Sequence, residues 1–350
     1  LWGDEAYLVA SFYDRGFADM FKPLDYAQLA PLAFMWADLA ASKLLGLSAL
    51  ALRIPAFACG LFSIFVFWRF TRRILDKRAA LLAIAIFASS FYVVRHSAEV
   101  KPYAQDLAVS LVLLWLGWAV YRRSDSVLRW LGLIIVAALG LWCSYPAVFI
   151  AGAVAIFLAW SLWPKRSAKL FLWILLYALI MAASFLAMYL FYIRAHEASA
   201  AGIREIRTWT IAFPPFSQPW RLPFWFLDVH TGNMLAYPVG GKNFGSTLTF
   251  LLVVVGVITL WRNRQKPLLL LLLAPLPLML VAAALHKYPY GTSARISQHL
   301  APAICLLAGA GLAKALRFLL NRQRLIGGFY IATSVIAFIA LGGIVRDIAK

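Results

Sequence analysis

Three short stretches hold the side chains in this chain that could do chemistry. The first is Leu1-Trp2-Gly3-Asp4-Glu5-Ala6-Tyr7, in which Asp4 and Glu5 are the only adjacent acids of the sequence. A carboxylate so placed can accept the proton of a hydroxyl as its oxygen attacks a carbon, which is general-base work. The plainer reading is an acid at a helix terminus or a solvated loop end. The second stretch runs Arg95-His96-Ser97-Ala98-Glu99-Val100-Lys101-Pro102-Tyr103-Ala104-Gln105-Asp106. Pro102 suits the first turn of a helix, so free backbone N–H groups would face outward beside Lys101, a ready site for a phosphate. Asp106 then falls roughly 6 Å inside that helix, where an acid is costly without a partner or a wet cavity. An ion pair is the structural alternative for Asp106, and snorkelling to the interface is the alternative for Lys101 and Arg95.

The third stretch is His286-Lys287-Tyr288-Pro289-Tyr290-Gly291-Thr292-Ser293-Ala294-Arg295. The guanidinium of Arg295 can grip two phosphate oxygens at once, which an ammonium cannot. Tyr288 and Tyr290 could bond a phosphate or stack on a sugar, unless they only form the aromatic belt of a membrane interface. His230, His286 and His299 are too scattered to argue for a metal. No cofactor is expected, and a divalent metal is not indicated.

The elements that must position these residues are apolar. The chain is 63% hydrophobic and 13% charged, with a mean hydropathy of +0.81, which excludes an ordinary soluble domain. Ten candidate spans read as 52–70, 79–95, 104–121, 130–144, 146–163, 171–193, 247–261, 267–285, 300–317 and 326–345. A net charge of +19 would suggest nucleic acid in a soluble protein, but the positives here flank apolar runs, so they read as topology signals. Five short connections, Arg69 to Arg78, Arg122 to Arg129, Lys165 to Lys169, Arg262 to Lys266 and Lys314 to Arg324, carry 18 of the 33 basic residues. By the positive-inside rule these are cytoplasmic. Eleven of the 14 acids then share the external face or its boundary. Cys59, Cys143 and Cys305 lie inside apolar segments and read as packing residues.

Residues 28–45 carry a helical period, with Leu29, Leu32, Ala33, Trp36, Ala40 and Leu44 on one face and Gln28, Met35, Asp38 and Ser42 on the other. That pattern predicts a helix lying in the interface. The long external loop 194–246 interleaves Trp209, Phe213, Phe216, Trp220, Phe224, Trp225 and Phe226 with prolines. It is too apolar to hang in water, so it is either a lid or a membrane anchor.

Taken together, these residues resemble the polytopic glycosyltransferases of the GT-C fold. More narrowly, the chain is similar to glycosyltransferase family 39 and the protein-mannosyltransferase-like bacterial enzymes, relatives of the aminoarabinose transferase of lipid A. The motifs that carry the likeness are Trp2-Gly3-Asp4-Glu5-Ala6-Tyr7, Asp25-Tyr26-Ala27-Gln28-Leu29-Ala30-Pro31-Leu32, Glu99 through Asp106, and Tyr288-Pro289 with Arg295. Gln28 stands where the aminoarabinose-type enzymes carry lysine. The resemblance implies an all-α GT-C bundle of about ten transmembrane helices, forming one domain over 1–350 with the interfacial helix in its first external loop, 1–50. The family's first transmembrane helix has no counterpart here, so residue 1 is expected to fall inside that loop.

The implied function is transfer of a sugar from a polyprenyl-phosphate carrier to a hydroxyl of a lipid, glycan or protein acceptor. It is expected to invert the anomeric centre, at the external face of the plasma membrane. Asp4 would be the base, with Glu5 orienting it or binding acceptor. Lys101 and Arg295 would stabilise the phosphate, and Asp106 would bind sugar hydroxyls or hold Lys101. Tyr26, Gln28, Glu99, Tyr103 and Tyr288 would line the substrate. A multi-pass secondary transporter of an envelope precursor is the competing class, but transporters keep charge near the midplane, where these spans have almost none.

Overall fold

Several helices start just after a proline, and one starts at an aspartate whose side chain caps its first turn. In a computed structural model of the chain, which describes residues 1, 3–24, 26, 28–197, 212–320 and 322–348, the regular elements are helices and no strand occurs among the described residues. In chain order they are α1 (Gly3–Ala10), α2 (Leu32–Leu45), α3 (Ala49–Ile74), α4 (Lys77–Ala88), α5 (Phe91–His96), α6 (Tyr103–Arg122), α7 (Val127–Cys143), α8 (Ala147–Leu162) and α9 (Ala168–Met188). There follow α10 (Leu222–Thr231), α11 (Thr247–Arg262), α12 (Lys266–Leu273), α13 (Pro275–Ala284), α14 (Ala301–Leu319) and α15 (Arg322–Ile348). Pro31, Pro102 and Pro146 hold the N-cap positions of α2, α6 and α8. Asp76 caps α4 by accepting from the N–H groups of Arg78 and Ala79 at 3.1 and 3.2 Å.

Six helical stretches are long and apolar enough to cross a membrane, Ala49–Ile74, Tyr103–Arg122, Ala147–Lys165, Ala168–Ile193, Lys266–Ala284 and Gln298–Leu319. Val127–Cys143, Thr247–Arg262 and Arg324–Ile339 are apolar but shorter. The protein is therefore an integral multi-pass membrane protein. The expected span 79–95 is broken: α4 stops at Ala88, where the hydroxyls of Ser89 and Ser90 turn back to the carbonyls of Ala85 and Ile86, both at 2.6 Å. The expected span 267–285 is present as Lys266–Ala284, with an interruption at Ala274 where Pro275 has no N–H to continue the ladder.

The chain divides into two compact units, Leu1–Gly60 with His96–Thr210, and Leu61–Arg95 with Ile211–Lys350. In the first, α6, α7, α8 and α9 pack pairwise. A second layer of core joins Leu8, Val9 and Phe12 to Met20, Leu24, Phe34, Met35, Leu39, Leu52 and Val100. The hydroxyls of Tyr145 and Tyr192 both donate to the Ala30 carbonyl, at 2.9 and 2.7 Å, and so fasten the start of α2. The two faces of α2 sort in the sense a membrane demands. Trp36 and Leu44 are exposed, as is Leu29 just before the helix, whereas Met35, Asp38 and Ser42 are buried. The sorting is partial: Leu32, expected on the lipid face, is buried together with Phe34 and Leu39, because the start of α2 packs into the core of the unit.

In the second unit α14 packs against both α4 and α11. Gly256 of α11 and Gly311 of α14 bring those two backbones together: a Cβ on Gly256 would collide with the Leu307 carbonyl, and one on Gly311 with the Leu252 carbonyl. Close backbone approach through small residues is how helices associate where lipid removes the hydrophobic drive.

Candidate active site

The first sequence cluster folds as a helix. Asp4 and Glu5 occupy the first turn of α1, where acids suit the helix dipole. As neighbours on a helix they point in different directions. Asp4 is half-buried, whereas Glu5 is fully buried. One oxygen of Glu5 accepts from Arg53 Nη2 at 2.9 Å and the other from the Val100 N–H at 2.9 Å. Glu5 thus joins α1 to α3 and to the turn that carries Lys101. Both of its oxygens are engaged in these contacts. Trp2, Asp25 and Ala27, quoted in the motifs above, lie outside the described residues.

Lys101 sits one residue before the N-cap of α6, beside first-turn N–H groups that a helix cannot satisfy internally. Its Nζ donates to Gln28 Oε1 at 2.9 Å. Tyr26, in the left-handed region at φ 55°, stacks on Tyr7 with ring centroids 5.3 Å apart. Both rings are exposed, and Gln28 is tied to the Tyr26 carbonyl at 3.4 Å. Glu99 is buried and meets His96 Nδ1 at 2.7 Å. The Tyr103 ring lies 4.9 Å from that imidazole. Glu99 therefore braces the turn on its own side of Lys101. Asp106 is buried in α6, and its Oδ1 has no hydrogen-bond partner among the described residues. Asp38 is buried in the same unit with both oxygens unpartnered among the described residues, and burial pushes its carboxyl well above the usual range.

Eight of the ten expected site residues, Asp4, Glu5, Tyr26, Gln28, Glu99, Lys101, Tyr103 and Asp106, thus belong to the first unit, and Tyr288 and Arg295 to the second. Within the second unit, Tyr288 donates its hydroxyl to the Ile296 carbonyl at 3.0 Å. Arg295 lies half-buried in the turn that leads into α14. That turn is held by Tyr290 and His230, a pairing the sequence does not show. His230 Nδ1 donates to the Phe226 carbonyl at 2.8 Å, so Nε2 keeps its lone pair and accepts from the Tyr290 hydroxyl at 3.2 Å. Burial pushes His230 below its ordinary value, which favours this neutral form, and raises Tyr290. Arg53 was missed. Its signal was available, because a cation inside the start of an apolar helix needs a partner.

Residues 30–190 match the sequence model of the family described as dolichyl-phosphate-mannose-protein mannosyltransferase. No curated protein matches the chain. Among solved structures, ArnT from Cupriavidus metallidurans in the apo state is 14% identical, with a TM-score of 0.57 over 98% of this chain and 71% of that one. The same protein bound to undecaprenyl phosphate gives 14% and 0.52, over 99% and 68%. The apo oligosaccharyltransferase of Archaeoglobus fulgidus is 14% identical at a TM-score of 0.52, over 97% of this chain and 49% of its own. At such identities the likeness is one of fold. The chain has the GT-C fold that these membrane proteins share.

Proposed function

We propose that the chain is a membrane glycosyltransferase that moves a sugar from a polyprenyl-phosphate carrier to an acceptor hydroxyl on the non-cytoplasmic face, inverting the anomeric carbon. The fold and the family match support the class, and the undecaprenyl phosphate bound to the ArnT neighbour supports the kind of carrier. The observation that carries the reading is the division of labour in α1. Glu5 is engaged in holding the Lys101 turn, and Asp4, half-buried beside it in the same first turn, is the carboxylate proposed for chemistry.

In this scheme the acceptor hydroxyl gives its proton to Asp4 while its oxygen bonds to the anomeric carbon from the face opposite the phosphate. The carbon–oxygen bond to the phosphate breaks, and its electron pair leaves on the phosphate oxygen as polyprenyl phosphate. Lys101 stabilises that developing charge, the largest kind of contribution in such sites. Arg295, in the second unit, is the other cation proposed for phosphate, on its guanidinium chemistry. Tyr7 and Tyr26 offer an exposed stacked pair to a sugar ring. The unpartnered Oδ1 of Asp106 is an acceptor suited to a sugar hydroxyl. Gln28 orients Lys101, and the scheme needs no cofactor.

The test is transfer of labelled sugar from polyprenyl-phosphate donors in vesicles carrying the protein. Asp4→Asn should slow transfer about 10²- to 10⁴-fold with donor binding kept. Transfer at the wild-type rate would remove Asp4 from the role of base.

A further inference from the structure

The segment between α9 and α11 carries an apolar ridge that the catalytic scheme does not use. Trp220, Phe224 and Leu227 are exposed by 69, 73 and 48%, and follow one another at helical spacing along α10 and the turn before it. The opposite side of α10 is packed: Val229 is buried, and Trp225, Phe226 and His230 all meet the ring of Tyr290. Arg221 and Asp228 are exposed along one rim of the ridge. A ten-residue helix is about 15 Å long, half of what a bilayer crossing needs, so α10 does not span. A ridge of this size left in water is unfavourable. Its level is set by α11, on which α10 packs. The His230 ring lies 6.5 Å from that of Phe250 in the first turn of α11, and Leu248 and Leu251 beside it are exposed as on a lipid-facing helix.

We infer that α10 is seated in the boundary between lipid headgroups and acyl chains, and that it holds the Arg295 turn at that depth. The second half rests on the reading of Arg295 as a ligand for the donor phosphate. Two contacts from the helix and one from the turn just after it hold the Arg295 turn. Tyr290 donates to His230, Asn233 Nδ2 donates to the Thr292 carbonyl at 2.9 Å, and Gly291 at φ +67° lies so close to α10 that a Cβ would come 2.5 Å from Val229 Cγ1. The phosphate of a polyprenyl-phosphate donor travels in the headgroup plane, because its chain is dissolved in the lipid. A phosphate ligand fastened to an interfacial helix is therefore already at the level where the donor presents itself. Arg221 on the rim suits the lipid phosphates around the helix, and the exposed aromatics suit the interface itself.

The experiment uses the full chain in vesicles of phosphatidylethanolamine and phosphatidylglycerol, with Cys59, Cys143 and Cys305 replaced by alanine. A nitroxide is attached in turn to Phe224→Cys, Leu227→Cys and Asp228→Cys. Oxygen should relax the first two labels strongly while a water-soluble nickel chelate does not, and the third label should show the reverse. Equal chelate access at 224 and 228 would put the ridge in water and overturn the seat. Protection of 224 from both reagents would overturn it in favour of a protein partner, and spin–spin broadening would identify that partner as a second copy. The link to the donor is read separately. Trp220→Ser with Phe224→Ser should raise KM for the polyprenyl-phosphate sugar about 3- to 10-fold with kcat held, and an unchanged KM would overturn it. A wild-type protein that transfers no sugar would count against the glycosyltransferase reading, while the label depths would still decide the seat of α10.

Discussion

Glu5 shows most clearly what one side chain does here. Its carboxylate has no exposed area and two charge-assisted bonds, one to a partly exposed arginine and one to a backbone N–H. Removing the cation strands a buried charge, which is far worse than weakening the pair. Arg53→Met should therefore cost roughly 3 kcal/mol, the low end for a broken buried pair because Arg53 reaches solvent. Glu5→Gln, which can still accept from Val100, should cost less, and thermal unfolding in detergent would rank the two. A larger loss for Glu5→Gln than for Arg53→Met would mean that the charge of Glu5 is balanced by more than Arg53, and would overturn this ranking. The sequence offered Asp4 and Glu5 as an equivalent pair. Only the helix through them assigns one outward and one inward, and the partner of Glu5 lies 48 positions away. The partner of Glu99 was hidden in a similar way. The motif does not show that one of its oxygens meets His96 a turn away.

At the scale of elements, long apolar runs announced themselves, so α3, α6, α8, α9 and α14 fall close to their expected limits. What the runs could not show is continuity. The break between α4 and α5 depends on two serine hydroxyls bonding back to the helix, and the one between α12 and α13 on a proline in a run of leucines. The helices α1 and α10 are too short and too mixed in composition to stand out from a loop. Helix contacts were equally hidden, because a glycine in an apolar run looks the same whether it faces lipid or a neighbour. Gly311 faces the backbone of α11, whereas a Cβ on Gly132 of α7 would meet nothing within 4 Å. Gly311→Ala should therefore lower Tm in detergent, with overpacking costing about 1–3 kcal/mol. Gly132→Ala should leave it unchanged or raise it, since alanine favours helix by up to about 1 kcal/mol. Equal effects at the two positions would show that the α11–α14 crossing has room to relax.

For the whole molecule the decisive property is sidedness, and here the charge pattern and the contacts agree within each unit. In the first unit, Lys165 Nζ donates to Ser124 Oγ at 2.8 Å, tying the connection after α6 to the one after α8. In the second, Arg317 and Asp76 meet at 2.8 Å, tying the end of α14 to the turn before α4. These are basic connections that the positive-inside rule assigns to the cytoplasm. Arg166 and Arg264 even occupy left-handed positions in their turns, at φ 42° and 58°, where glycine is the usual residue. Such turns leave little chain on that side, whereas Asp4, Lys101 and Gln28 collect at the other ends of the helices of the first unit. We therefore expect single cysteines at Asp125 and Arg264 to react with an impermeant maleimide only after the membrane is opened, and cysteines at Asp14 and Lys242 to react in intact cells. Helix α11 makes the sharpest case, because Lys242 and Arg264 stand just beyond its two ends. If both label in intact cells, α11 does not cross, and the external assignment of the Arg295 turn loses its support. If Asp125 labels from outside while Asp14 does not, the orientation is reversed. The acids of α1 would then face the cytoplasm, where a polyprenyl-phosphate sugar presented on the outer leaflet could not reach them.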